Sequence, residues 1–177
     1  MLVHFVGDMH QPLHVGNGFF SVAADGSVSL VTDPAACKGL DNDKGGNALF
    51  FGPDKYDELH GYWDIAVVDK LEPSRSPAAL ATLIEKDIAS KGAGWKSAGD
   101  YHHWPEAWAS ESLAAARTAY SGLVYGAMTP DPKGGFKKIA ITLPANYDGI
   151  AMPLAEERLA KAGYHLAEIL NAVKWAD

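Results

Sequence analysis

Apolar residues recur at helical spacing in the opening stretch, at Leu2, Phe5, Val6 and Met9, and Pro12 predicts that this helix stops near Gln11 because the residue before proline avoids the α region. From Val15 to Asp57 the pattern changes. Gly, Asp and Asn punctuate short apolar runs, and Phe20, Val22 and Ala24 alternate opposite Val28 and Leu30 across Asp25-Gly26, which predicts a β-hairpin with a tight turn. Lys38 to Asn47 reads as loop, followed by an exposed Ala48-Leu49-Phe50-Phe51 run. Residues 15–57 are therefore expected to be an inserted excursion between helices.

Beyond it the periodicity is helical almost throughout. Glu58 to Lys70 predicts one helix. Ser76-Pro77 supplies a cap and a first-turn proline for a helix carrying Leu80, Leu83, Ile84 and Ile88 and stopping at Gly92. An alanine-rich helix is expected from Trp104 to Tyr125. Pro130 to Tyr147 reads as loop with a short strand at Lys137 to Leu143, and an amphipathic helix carrying Leu159, Ala162, Leu166, Ile169, Leu170 and Val173 runs from about Pro153 to Trp175. The expected fold class is all-α with a small β-hairpin insertion, in a single domain spanning 1–177.

Composition narrows the function. The chain has 177 residues, 47% of them hydrophobic and 21% charged, as in an ordinary globular domain. No run approaches the roughly 18 apolar residues of a bilayer span, and Met1-Leu2-Val3-His4 lacks the basic region and apolar core of a secretory signal. A net charge of −7 argues against a broad basic face for gripping a polyanion. With Cys37 as the one cysteine, a metal site would rest on the seven histidines and the carboxylates.

Two segments carry the chemistry: His4-Phe5-Val6-Gly7-Asp8-Met9-His10-Gln11-Pro12-Leu13-His14 and Leu59-His60-Gly61-Tyr62-Trp63-Asp64. His4 and Asp8, and likewise His60 and Asp64, stand four apart on a helix, so each pair projects from one face. His14 falls past Pro12, where a loop aims it at a second metal. A lone pair of this kind is ordinarily a surface ion pair, but two pairs plus His14 among apolar neighbours match the imidazole and carboxylate ligands of zinc, with Co²⁺ or Mn²⁺ also compatible. His10 does not share the His4 and Asp8 face and is expected to orient a ligand or simply to pack. His102 and His103 are read as cap or surface residues and His165 as structural. The Gly45-Gly46-Asn47 turn is either loop chemistry or a place where backbone approaches a ligand, with Asn47 supporting the ligands rather than binding metal.

These residues resemble the zinc-dependent single-strand nucleases of the S1/P1 type, which share their fold with bacterial phospholipases C. The resemblance rests on residues 4–14, on Asp43-x-Gly45-Gly46-Asn47 and on Leu59-His60-x-x-Trp63-Asp64, with weaker agreement at Trp108-Ala-x-Glu111-Ser112 and 157–164. It implies a mainly helical fold around three zinc ions in a cleft. His4 then corresponds to a ligand of the first zinc, Asp8 to the carboxylate bridging the first and third, and His14, His60 and Asp64 to the protein ligands of the second. The implied activity is endonucleolytic cleavage of single-stranded DNA or RNA by metal-activated water, leaving 5′-phosphate ends. The metals would supply the positive charge that the acidic chain lacks.

The resemblance also carries departures. Family members place an N-terminal Trp and an upstream His, Asp and second His in the cluster, and all of these would precede Met1. The expectation is an N-terminally truncated chain, inactive or weakly active alone, with an exposed apolar face on its first helix. Full-length members are secreted or periplasmic. A phospholipase C, with glutamate expected where Asp64 stands, and a non-catalytic zinc-binding fragment are the alternatives. Single-strand preference would come from aromatic stacking, for which Phe50 and Phe51 are the candidates, with Phe19, Phe20 and Tyr62 behind them, though each suits a core equally well.

Overall fold

Gln11 adopts φ −76° and ψ 119°, which ends the first helix at the residue before Pro12, and its side-chain oxygen caps the next helix by accepting from the Leu13 N–H. This computed structural model describes residues 1–54, 57–130 and 137–173. The helices α1 (Leu2–His10) and α2 (Pro12–Val15) lead into a hairpin of β1 (Phe19–Val22) and β2 (Val28–Val31), then a strand β3 (Leu49–Phe50). α3 (Leu59–Gly61) runs through a π-helical turn (Tyr62–Ala66) into α4 (Val67–Leu71). Then come α5 (Pro77–Lys91), α6 (Trp104–Ala119), strands β4 (Val124–Pro130) and β5 (Lys137–Thr142), and the long α7 (Tyr147–Ala172).

The hairpin pairs Phe20 with Leu30 and Val22 with Val28, as the alternation predicts. Its connection is wider than the two-residue Asp25-Gly26 turn expected, because Ala23 and Ser27 close it with a backbone hydrogen bond of 2.9 Å.

Three further expectations are corrected. Helix α6 stops at Ala119 rather than Tyr125, since Gly122 takes φ +72° and turns the chain into β4. Ala48 and Leu49, expected to be exposed, are buried because β3 pairs in parallel with β5, with Leu49 opposite Ile139. β5 also pairs antiparallel with β4, so a three-stranded sheet accompanies the hairpin. Helix α7 begins at Tyr147 and carries Pro153 inside its first turns instead of starting there. The loop expected at 131–136 and the helix end expected at Trp175 lie outside the described residues.

Leu49, Leu59, Val67, Ile139, Ile141, Tyr147 and Ala151 form the core between this sheet and helices α3, α4 and α7. Inside it the Trp63 indole N–H donates to the Tyr147 hydroxyl at 3.0 Å, and that hydroxyl donates to the Ala119 carbonyl at 2.6 Å. The π turn is thereby tied to α6 and α7. Helix α5 is opened by the Ser76 cap and packs half-buried against α7. On α1, Val3 and Phe5 stay 66% and 52% exposed, which matches the apolar face expected there.

Candidate metal centre

The C-terminal end of α1 is held rigidly. Arg158, buried on α7, donates from Nε to the His10 carbonyl at 3.1 Å and from its terminal nitrogens to Ser112 Oγ at 2.6 Å and Glu111 at 3.3 Å. Ser112 in turn bonds the Met9 carbonyl. Trp108-Ala-x-Glu111-Ser112 and the segment around Arg158 thus fix the helix that carries Asp8.

His10 is a packing residue. Its Nδ1 lies 2.7 Å from the Val6 carbonyl and its Nε2 lies 2.8 Å from His165 Nδ1, while His165 stacks on Trp108 and reaches the Trp95 carbonyl at 3.0 Å. Burial pushes His10 down to about 4, against the opposing pull of the Val6 carbonyl, and lowers His165 too. Both rings are neutral at pH 7. His165 is structural, as expected, and His102 and His103 are exposed on a short 3-10 turn ahead of α6.

The loop before β3 is built around one buried carboxylate. Asp43 is 1% exposed and accepts from the Gly18 N–H at 3.0 Å and the Tyr120 hydroxyl at 2.7 Å. Burial raises its affinity for a proton, against the pull of bonds from Tyr120, Gly18, Gly46 and Gly45. Gly45 and Gly46 follow at φ +65° and +85°. A Cβ on Gly45 would sit 2.1 Å from the Leu13 carbonyl oxygen, so only glycine fits where this loop crosses α2. Asn47 is exposed and donates to the Lys44 carbonyl at 2.7 Å, bracing the turn.

His60 turns its Nδ1 to the Gly45 carbonyl at 2.8 Å, leaving Nε2 to face Asp64 at 3.3 Å. His14 lies between two carboxylates, its Nδ1 3.5 Å from Asp8 and its Nε2 3.3 Å from Asp64. The His14 and His60 rings stack with centroids 5.1 Å apart. Asp64 sits in the π turn, a form of helix often found where a side chain must be re-aimed. It also accepts from Gln11 Nε2 at 2.8 Å. Burial opposes its ionisation, but the bonds from His14, His60 and Gln11 outweigh that and hold the carboxyl far below the usual range. The Asp64 bond raises His60 against burial.

His14, His60 and Asp64 each offer one ligand atom, all within 4.8 Å of one another. Two imidazoles and a carboxylate at that spacing fit a zinc ion with a position left for water. His4 and Asp8 pair at 3.2 Å beside this triangle, joined to it through the Asp8 contact with His14, and the His4 side chain is 74% exposed. The sequence motifs therefore converge in space. Phe50 and Phe51 do not reach the cleft: Phe50 lies under Lys138 and Phe51 packs edge-on against Tyr62. Phe5 lines it instead, with Asp8, His14, His60, Asn42 and Lys44, around an open space of about 830 Å³. Gln11 and Lys44 carried no assigned role in the sequence. Gln11 was within reach, standing inside the His-Gln-Pro-Leu-His run, whereas nothing local marked Lys44.

Among known proteins the chain is 27% identical to Endonuclease 2 of Arabidopsis thaliana, over 96% of this chain and 49% of that protein. It is also 27% identical to Endonuclease 1 of the same plant, over 97% of this chain and 48% of the relative. The chain spans about half the length of the curated relatives it matches. No solved structure matches it significantly. The family model described as S1/P1 Nuclease matches residues 1–174, and with that match the chain belongs to the S1/P1 nuclease family.

Proposed function

We propose that this chain serves zinc-dependent hydrolysis of phosphodiester bonds, as an endonuclease on single-stranded nucleic acid that leaves 5′-phosphate ends. The observation that carries the reading is the His14, His60 and Asp64 triangle, oriented by Gly45 and Gln11 in an open cleft. Zinc bound there supplies Lewis acidity toward a phosphodiester and acidifies water. The protein's own part is to hold the imidazoles neutral and aimed and Asp64 ionised. The π turn and the Asp43-anchored loop do this. The endonuclease names of the relatives support the reaction class.

A second reading, a zinc-binding domain without cleavage, is favoured by the 74% exposure of His4, which leaves the His4 and Asp8 side of the cluster open to water. Elemental analysis of the purified chain, with single-stranded DNA hydrolysis assayed with and without chelator, separates the two. Bound zinc with chelator-sensitive cleavage supports the nuclease. Zinc without cleavage supports the second reading, and no retained zinc removes both.

A further inference from the structure

Lys44 occupies φ 55°, in the left-handed region that a residue with a Cβ rarely adopts. The conformation is imposed from both sides. The Asn42 side-chain oxygen accepts the Lys44 N–H at 2.9 Å, and Asn47 Nδ2 donates to the Lys44 carbonyl at 2.7 Å. Between them the neighbouring Asp43 is locked by Tyr120 and Gly18. Glycine would accept this backbone without strain, as Gly45 and Gly46 do in the next two positions. A lysine held there has a reason in its side chain. Such strain concentrates at functional sites.

The other non-glycine residue with positive φ among those described, Arg75, sits in a surface turn and directs its guanidinium to Asp69 at 2.5 Å. Lys44 instead lines the cleft that holds Asp8, His14 and His60, and among the described lining residues it is the one lysine or arginine. In a chain of net charge −7, a cation fixed at the rim of this site matches an anionic ligand. An ammonium is a point charge suited to a phosphate oxygen.

We propose that Lys44 is a positioning residue for phosphate, its ammonium holding a non-bridging oxygen of a phosphodiester that lies against the His14, His60 and Asp64 triangle. The proposal rests on the phosphodiesterase reading above and adds to it the residue that would grip the substrate. Locking the backbone at Asn42 and Asn47 places the ammonium beside the cleft without closing it.

The test is binding, read on the zinc-loaded protein with a fluorescent phosphorothioate oligothymidylate that resists hydrolysis, over a range of salt, and with inorganic phosphate as a second probe. Lys44→Gly is expected to keep the zinc content and to melt no lower than wild type, because it relieves the φ strain. It should nevertheless bind the oligonucleotide on the order of tenfold more weakly, with the salt slope shallower by about 0.7, the loss of one phosphate contact on a single strand. Lys44→Gln should behave likewise, and Lys44→Arg should restore most of the affinity. Zinc-dependent binding by wild type that is unchanged in Lys44→Gly and Lys44→Gln overturns the Lys44 assignment alone. Wild-type protein that binds neither probe in a zinc-dependent way overturns the phosphodiesterase reading and this assignment with it.

Discussion

The Gly45 carbonyl accepts a hydrogen bond from His60 Nδ1 at 2.8 Å, so the orientation of a candidate metal ligand is set by a backbone atom in a glycine turn. Gly45 holds φ +65° and crosses α2 so closely that a methyl group would meet the Leu13 carbonyl oxygen at 2.1 Å. Gly45→Ala must shift the turn or the helix, and either releases His60. Zinc affinity should fall about 10- to 100-fold, the usual effect of losing a partner that orients a metal-binding histidine. Stability should fall by roughly 1–3 kcal/mol from the backbone strain. Competition titration against a zinc chelator measures the first and urea unfolding the second. Wild-type zinc affinity in the variant would show that the Gly45 contact does not orient His60.

Tyr120→Phe tests the buried anchor of the same loop. The hydroxyl donates to Asp43 and accepts from the Gly18 N–H at 3.2 Å, so its removal leaves Asp43 short of a donor. The expected cost is about 1–3 kcal/mol. Asp43 already has a raised pKa in the folded protein, which means its ionisation opposes folding once pH exceeds the ordinary carboxylate value. The variant raises that pKa further. Its deficit relative to wild type should therefore be larger at pH 7 than near pH 4, and urea midpoints at the two pH values check this.

Much of this site was legible because its chemistry is local in the chain. His4 and Asp8, His60 and Asp64, and the Pro12 break that frees His14 follow from helical spacing and from the geometry before proline. The supports were not legible in the same way. Arg158 reaches the His10 carbonyl across 148 residues and Tyr120 reaches Asp43 across 77, distances at which periodicity carries no signal. The π turn at Asp64 is invisible to an apolar pattern that a regular helix fits equally well. β3 looked exposed for a related reason: its burial depends on a parallel partner about 90 residues downstream.

Arg158→Met should be among the most damaging substitutions outside the ligands. The guanidinium is 4% exposed and serves the His10 carbonyl, Ser112 and Glu111 together. Its loss leaves a buried carbonyl and hydroxyl unpaired, with an expected cost of about 3–5 kcal/mol. Arg158→Lys should recover little, since one ammonium cannot reach three separated acceptors in the planar fork geometry. Thermal melts of both variants decide the point, and a lysine variant as stable as wild type would show that charge alone suffices.

The His60 and Asp64 pair makes a prediction about pH that separates a metal site from an ion pair. Without metal, Asp64 raises the pKa of His60 in the folded protein. The stabilisation this brings is complete below the ordinary histidine value near 6.5 and is lost as pH rises through the folded value. Asp64, whose pKa is depressed, contributes above the ordinary carboxylate value and so stays constant in that window. His10 and His165, both lowered, have already finished titrating there. From these groups, metal-free protein in chelator should melt lower at pH 8.5 than at pH 6.5. Zinc requires the neutral imidazole and must displace the same proton, so its affinity rises over this range. The increase in melting temperature on adding zinc should accordingly be larger at pH 8.5 than at pH 6.5, and His60→Gln should flatten both trends. A zinc-induced shift that is equal at the two pH values, or that survives His60→Gln, would show that His60 is not a ligand and leave its contact with Asp64 as a simple ion pair.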